Sequence, residues 1–360
     1  MTSARDTDTN TPEPTTEPQR GIPTAEAPAQ AEPAAGNEVP CGCPRPVNDR
    51  KVAIVGCGFV GSASAFALMQ SGLFSEMVLI DVDRDRAEGE ALDISHGTAF
   101  ASPCEIYAGT YDDAADAAVI VVTAGLGQKP GETRIDLVHK NVAIFKDILA
   151  EIRARECGGI LLVVSNPVDV LTYVSVKLSG MPEERVFGSG TVLDTGRLKH
   201  ILGERLAVDP RNVHARILGE HGDSELIAWS SAHVAGIPLE DFFTMRQEGS
   251  YEQFRRQVGD TVVNAAYEII AKKKATYYGI AMAVTRICGA IVRDEKSVLS
   301  VSNFLDGEYG LSDVALATPC IVGKGGIEAR MPPSLNYREL SDLKASAAAL
   351  KDVIAGLDLG

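Results

Sequence analysis

The distribution of apolar residues after residue 50 is typical of an α/β protein. Four short apolar runs lack polar alternation and predict strands covered on both faces: residues 52–55, 78–80, 119–123 and 160–165. Longer stretches between these runs have the spacing of helices, at residues 61–71 and 137–155. Because strands alternate with helices, we expect a doubly wound parallel sheet in this half of the chain.

After about residue 190 the pattern changes to longer helices and shorter strands. The predicted elements are helices at 195–206 and 251–274, strands at 213–218 and 297–304, and a C-terminal amphipathic helix at 337–354. We therefore predict a parallel-sheet domain at 49–190, followed by a mixed α+β domain at 191–360.

Residues 1–48 differ in composition from the rest of the chain. They hold nine of the 18 prolines and few large apolar residues, so they cannot bury enough surface to offset their chain entropy. We predict a disordered tail at 1–48. Its Cys41 and Cys43 have no companion ligands nearby, which favours two solvated thiols over a metal site.

Charge and cysteine usage narrow the class of protein. The chain carries 49 acidic and 34 basic residues, a net charge of -15, which argues against binding to nucleic acid or to an anionic membrane. No apolar run approaches the length of a membrane span, and the N-terminus lacks a secretory signal. The seven scattered cysteines do not suggest a disulfide framework. We expect a cytoplasmic protein with reduced thiols.

A glycine-rich turn follows the first predicted strand and precedes the first predicted helix. Gly56 suits a tight turn, Gly58 lets a pyrophosphate approach the backbone, and Gly61 permits close helix packing. Asp81 ends the second strand, where its carboxylate would accept ribose hydroxyls and repel a 2'-phosphate. This order of features predicts a Rossmann-type domain that binds NAD rather than NADP.

Three polar residues in the second half are candidates for acid-base chemistry. His221 lies in the segment Gly-Glu-His-Gly-Asp at a predicted strand end, and histidine exchanges protons near neutral pH. Asp194 would orient its ring, and Arg197 could bind a carboxylate through two parallel hydrogen bonds. Spacing alone leaves open a buried Asp-Arg pair with an unrelated surface histidine.

The segments at 193–197 and 219–223 together resemble the signature of the lactate/malate dehydrogenase family, and the similarity extends over approximately residues 50–357. The resemblance implies reversible hydride transfer between NADH and a 2-keto acid, without a metal. It implies that His221 transfers the proton, that Asp194 orients it, and that Arg197 holds the substrate carboxylate. The two predicted domains would then be an NAD-binding domain and a catalytic domain.

The segment 124–134 is by itself a flexible, glycine-rich loop. In the family that the chain resembles, this loop is a lid over the substrate, and Arg134 matches the residue that polarises the substrate carbonyl. Gln128 matches the position that faces the substrate's C3 group. Lactate-specific members typically have Gln there and malate-specific members Arg, so the resemblance favours pyruvate and L-lactate, with malate or another 2-hydroxy acid as the alternative.

Other positions match family contacts with substrate or cofactor. Asn166 resembles the residue that holds substrate and nicotinamide ribose, Thr276 a pocket residue, and Ile280 a residue packed on the nicotinamide. Without the resemblance they would be an Asn-Pro turn and core residues of a helix. The further matched NAD-contact positions are Val60, Arg86, Tyr111, Gly125 and Leu126.

The resemblance also raises regulation and assembly. Many bacterial members bind fructose 1,6-bisphosphate at a subunit interface through a histidine, matched by His214, and an arginine, where this chain has Lys199. Lysine attracts phosphate but lacks the bidentate fork, and His214 could equally be an ordinary strand residue. The resemblance implies a homotetramer.

Two functions of other classes are alternatives to this interpretation. NAD-dependent glycoside hydrolysis would need a metal-binding Cys/His set and a sugar pocket, which the sequence does not show. A non-catalytic NAD sensor would not need the full set of candidate polar residues.

Overall fold

The computed structural model describes residues 46–127 and 134–359, with Arg134 described in its backbone only. Nearly all of the predicted tail, including Cys41 and Cys43, lies outside these residues, as does Gln128. Within them, no helix has the length and apolar character required to cross a bilayer.

The core of the fold is a nine-stranded sheet whose first six strands are parallel. These are β1 (Asn48–Val55), β2 (Glu76–Ile80), β3 (Glu105–Ala108), β4 (Ala117–Val122), β5 (Ile160–Val163) and β6 (Val186–Gly188). Their order is β3-β2-β1-β4-β5-β6. The chain reverses direction across the sheet between β1 and β4. In such sheets, ligands bind beyond the carboxyl ends of the strands at this switch point.

Helices cover both faces of these strands. They are α1 (Phe59–Ser71), α2 (Arg84–His96), α3 (Tyr111–Ala114), α4 (Arg134–Ala154) and α5 (Val168–Leu178). Successive residues of β1 enter different cores: Ala53 and Val55 join one cluster, and Val52 and Ile54 join the other. Burial on both faces explains why the strand sequences are apolar throughout rather than alternating.

The second half of the chain adds α6 (Val192–Leu206), α7 (Leu239–Arg246), α8 (Tyr251–Lys273), α9 (Tyr278–Val292) and α10 (Tyr337–Ala355). Its short strands are β7 (Val213–His214), β8 (Ile217–Leu218), β9 (Leu226–Ile227), β10 (His233–Val234) and β11 (Ile237–Pro238). Its long strands are β12 (Ser297–Asp306), β13 (Ser312–Gly323) and β14 (Gly326–Arg330). The long strands are antiparallel and extend the main sheet from β6 through β12.

The predicted fold class, a Rossmann-type parallel sheet followed by a mixed α+β region, is confirmed. The continuous strand predicted at 213–218 is wrong. The segment is interrupted at 215–216, and its two halves join different small sheets, β7 with β10 and β8 with β9. The alternative that 275–280 forms a helix interior is also wrong in part, because α8 ends at Lys273 and α9 begins only at Tyr278. The domain boundary at residue 190 stays a prediction.

Candidate active site

The glycine-rich turn between β1 and α1 has the geometry of a dinucleotide cradle. Gly56 has a φ of 100°, and a Cβ added there would lie 2.5 Å from the backbone nitrogen of Ala124. A Cβ on Gly61 would lie 1.8 Å from the carbonyl oxygen of Gly56, so close helix packing requires glycine. At Gly58 an added Cβ meets nothing within 4 Å, which leaves the backbone open to a pyrophosphate.

Asp81 lies directly after β2 and is held against this turn. One carboxylate oxygen accepts a hydrogen bond from the Cys57 N–H at 2.6 Å, and the other accepts one from the Asp83 N–H at 2.9 Å. Each carboxylate oxygen has a second lone pair, so Asp81 keeps acceptors for ribose hydroxyls. These features fit a bound NAD.

The other predicted cofactor positions surround the same crevice. Arg86 lies on the exposed face of α2, close enough to Cys57 to act electrostatically on its thiol. Val60 is half-buried in the first turn of α1, and Tyr111 begins α3 with the Arg155 guanidinium 5.8 Å from its ring centroid. Their contacts with NAD stay predictions.

Asn141, which the sequence did not identify, connects two of the predicted binding segments. It is fully buried on α4, and its side chain accepts from the Leu126 N–H at 2.8 Å. Its amide group donates to the carbonyls of Leu126 and Asn166. The segment after β4, which includes Gly125, is thereby tied to the turn after β5.

The catalytic candidates form one chain of hydrogen bonds. Nδ1 of His221, in the turn after β8, lies 2.5 Å from Oδ2 of Asp194 in the first turn of α6. Arg197, one turn later in α6, donates from Nη1 to Oδ1 of Asp194 at 2.8 Å. The Asp194 side chain is 3% exposed, against 14% for Arg197 and 24% for His221. The structure therefore joins the three residues and excludes the alternative of an unrelated surface histidine.

The charges of this chain support one another. Burial lowers the pKa of His221, but the neighbouring Asp194 carboxylate, with Asp169 and Glu225, raises it to about 9. Burial also opposes ionisation of Asp194, yet His221 and Arg197 hold its pKa below the ordinary value. At neutral pH the arrangement is an imidazolium beside a carboxylate, with Asp194 accepting from Nδ1–H.

The turn that carries His221 is anchored on three sides. Gly219, with a φ of 88°, exchanges two backbone hydrogen bonds with Ala317 of β13. The Glu220 N–H donates to Ser346 of α10 at 2.9 Å. The His221 N–H donates to Oδ2 of Asp169 in α5 at 2.7 Å, and Asp169 was not a predicted site residue.

A cavity of about 250 Å³ opens beside this turn. Its polar lining includes Asn166, Asp194, Arg197, His221 and Glu225. Its apolar lining includes Leu137, Val138, Val262, Val263 and Ile270. Four predicted site residues thus converge on one cavity. Thr276, between α8 and α9, and Ile280, packed on a core cluster, are not part of its lining.

Other predicted residues are not part of the described lining of this cavity. Gln128 and the side chain of Arg134 lie outside the described residues. Lys199 is half-buried on α6, and His214 is exposed on β7, against which α6 packs. The structure contradicts neither residue's predicted role, but neither lines the cavity.

The cavity also holds a group that could bind a metal ion. Ligand atoms of Asp194, His221 and Glu225 all lie within 4.8 Å of one another. Asp194 already accepts bonds from His221 and Arg197, so metal binding would compete with the hydrogen-bonded chain. Burial and repulsion by Asp194 raise the pKa of Glu225 to about 8.

Comparison with known families places almost the whole described chain in one pair of domains. Residues 50–188 match the family described as lactate/malate dehydrogenase, NAD binding domain. Residues 191–357 match lactate/malate dehydrogenase, alpha/beta C-terminal domain.

Individual relatives are similar over the same region. The L-lactate dehydrogenase of Acetivibrio thermocellus is 52% identical over 310 residues, which are 86% of this chain and 98% of that protein. The L-lactate dehydrogenase of Thermoanaerobacter pseudethanolicus is 50% identical over 86% of this chain and 99% of that protein. The crystal structure of the minor L-lactate dehydrogenase from Enterococcus mundtii in a ligands-bound form superposes with a TM-score of 0.83. It is 46% identical, and the match covers 86% of this chain and 99% of that chain.

Proposed function

This chain belongs to the lactate/malate dehydrogenase family, and we infer that it is an NAD-dependent L-lactate dehydrogenase that interconverts pyruvate and L-lactate. The observation that carries the assignment of roles is the hydrogen-bonded chain from Arg197 through Asp194 to His221, set in a cavity. It combines a carboxylate anchor with a proton donor, the two groups that reduction of a 2-keto acid requires of the protein.

When bound, NADH would supply the hydride for C2 of the keto acid. Asp194 occupies Nδ1 of His221, so Nε2 is left to give its proton to the forming hydroxyl oxygen. In the oxidative direction, neutral His221 takes that proton back. Arg197 binds Asp194 through one of its five N–H groups and keeps others for the substrate carboxylate.

We propose that the segment 124–134 completes the site. Arg134 would polarise the substrate carbonyl, and Gln128 would face its methyl group. Closure would exclude water and so strengthen the contact with Arg134. Asn166 lines the cavity and is proposed to contact both substrate and nicotinamide ribose. Thr276 is proposed to bound the pocket, with Ile280 against the nicotinamide.

The test is a panel of 2-keto acids followed by the absorbance of NADH, with purified wild type and a His221→Asn variant. Pyruvate should be reduced most efficiently, and the variant should reduce every acid more slowly than the wild type by a factor of about 10² to 10⁴. A preference for oxaloacetate would mean that the enzyme is a malate dehydrogenase. Gln128 is the residue expected to discriminate between the two substrates. A fully active variant would remove His221 from the mechanism.

We propose that fructose 1,6-bisphosphate regulates the enzyme, because positively charged groups surround Lys199. Burial and the nearby Arg216 and Arg286 lower the pKa of Lys199, so positive groups crowd one region of the chain. In the part of the chain that the structure describes, neither Lys199 nor Arg216 forms a salt bridge. A phosphate group near Lys199 and His214 would relieve this repulsion.

A homotetramer in the cytoplasm is proposed as the working form. Helix α1 packs against both α2 and α9. The large apolar side chains exposed on these three helices are Phe59, Phe66, Leu92, Tyr278 and Met282. Exposed apolar groups of this kind are typical of surfaces covered by another subunit. Size-exclusion chromatography with light scattering tests the assembly.

A further inference from the structure

A second carboxylate, Asp169, contacts the backbone of His221, whereas Asp194 contacts its ring. Asp169 lies in the first turn of α5, three residues after Asn166, and is 1% exposed. Oδ2 accepts the His221 N–H at 2.7 Å, and Oδ1 accepts the Ser302 hydroxyl at 2.5 Å. Ser302 is fully buried on β12. Both oxygens of Asp169 are therefore held by residues distant in the sequence.

His221 is consequently held at two points by two helices. Asp194 of α6 holds the ring at Nδ1, and Asp169 of α5 holds the backbone nitrogen. The contact with Asp194 determines the orientation of the imidazole ring. The contact with Asp169 determines the position of the His221 backbone. Catalytic groups need both within a fraction of an ångström, because a misplaced proton donor loses rate steeply.

The charge of Asp169 calls for an explanation beyond hydrogen bonding. A neutral amide could accept the His221 N–H and donate to Ser302, whereas burial of a carboxylate is costly. Burial raises the pKa of Asp169 to about 6, so the group is mainly ionised at neutral pH. Among the described residues, the positive group that acts on it is the His221 imidazolium, and the negative one is Glu220.

We propose that Asp169 is a positioning residue for His221, which both fixes the backbone of the proton donor and stabilises its charged ring. This inference rests on the proposed role of His221. The charged groups that face His221 are Asp194 of α6, Asp169 of α5 and Glu225 of its own turn. Both carboxylates thus stabilise the charged ring. Asp194 does so through a direct hydrogen bond to Nδ1, and Asp169, which is bonded to the backbone, does so through space.

The test compares pH profiles of kcat/KM for pyruvate in wild type and Asp169→Asn. Asparagine keeps the size and both hydrogen bonds but removes the charge. The high-pH limb, where His221 loses its proton, should move to lower pH by on the order of one unit. Activity should approach the wild-type value near pH 6 and fall to about one-tenth of it above the limb. An equal loss at every pH would mean a merely structural role and would overturn the proposal.

Two controls separate charge from packing. Ser175→Ala removes a buried hydroxyl from the same helix, where it bonds only to the Leu171 carbonyl at 2.7 Å, and should leave the limb in place. Ser302→Ala frees Oδ1 and removes a hydrogen bond that lowers the pKa of Asp169, but the carboxylate should still be ionised at the high pH of the limb. The variant should therefore lower kcat several-fold without moving the limb. If Asp169→Asn does not fold, Ser302→Ala remains decisive, and a wild-type kcat in that variant overturns the proposal.

A readout without turnover distinguishes this inference from the proposed function. Histidine-labelled protein is titrated by NMR, and the His221 resonance is identified by its loss in His221→Asn. A downward shift of the His221 titration in Asp169→Asn supports the inference even if the enzyme's substrate proves to be another acid. An unchanged titration overturns it.

Discussion

Nδ1 of His221 lies 2.5 Å from Oδ2 of Asp194, although 27 positions separate the two residues in the chain. Asp194 is almost fully buried, so its charge acts through little water. The pair therefore sets both the orientation of the imidazole and the pH range in which it carries a proton.

Replacement of Asp194 by Asn should lower the pKa of His221. In the wild type this pKa is raised from 6.5 to about 9, so the ring is protonated below about pH 9 and pyruvate can be reduced there. Without the carboxylate, burial dominates and favours the neutral ring. The high-pH limb of kcat/KM for pyruvate should shift to lower pH by two units or so, as measured by steady-state assays across pH. Asp209→Asn, an exposed carboxylate paired with Arg211, is the control, and an unmoved limb in Asp194→Asn would contradict the mechanism.

Replacement of His221 by Gln should slow both directions by a factor of about 10² to 10⁴, the usual contribution of a general acid or base. Affinity for NADH, measured by fluorescence titration, should be nearly unchanged, because the glycine-rich cradle lies between β1 and α1 and His221 lies in a different segment, the turn after β8. His200→Gln, on the exposed face of α6, provides the control for loss of a histidine. Full activity of the His221 variant in either direction would be inconsistent with its proposed role.

Pyruvate reduction and lactate oxidation should respond oppositely to pH. Pyruvate binding requires protonated His221, and L-lactate binding requires the neutral ring, so KM for pyruvate should rise and KM for lactate should fall as pH increases through about 9. Initial rates in both directions, measured in the same buffers, check this. Parallel profiles would exclude His221 as the proton carrier.

Gln128→Arg should change the choice of substrate. Pyruvate presents a methyl group at this position, while oxaloacetate presents a second carboxylate, which would be an unpaired charge in a closed pocket. Burial of such a charge costs several kcal/mol, and each factor of ten in specificity corresponds to about 1.4 kcal/mol. The ratio of kcat/KM for the two acids should shift towards oxaloacetate by several powers of ten. Gln128→Asn is the control for size, and a wild type that already prefers oxaloacetate would refute the lactate assignment.

Fructose 1,6-bisphosphate should lower KM for pyruvate weakly in the wild type and more strongly in Lys199→Arg. Arginine restores the bidentate geometry that phosphate favours, whereas Lys199→Ala should abolish the effect. Saturation curves with and without effector measure it, with inorganic phosphate at equal ionic strength as the control. If the effector leaves the saturation curve of each of the three proteins unchanged, the proposed regulatory site is ruled out.

The sequence by itself determined the class of fold, because its signals are local. Apolar runs such as 52–55 indicate a strand that is buried on both faces. Gly56 and Gly61 mark positions where a Cβ would collide with neighbouring backbone. Asp81, Asp194, Arg197 and His221 were found from motifs and resemblance. Those motifs named the groups that the chemistry needs without giving their distances.

Tertiary structure decided which of these residues meet and what holds them. Asn141 joins the segments after β4 and β5. Asp169 joins His221 to Ser302, and Ser302 lies 133 positions after Asp169 in the chain. Neither residue carries a local signal, because an Asn or Asp within a helix sequence looks the same whether it faces water or a distant backbone N–H. The raised pKa of His221 belongs to this level as well, since it depends on burial and on carboxylates that only the fold brings together.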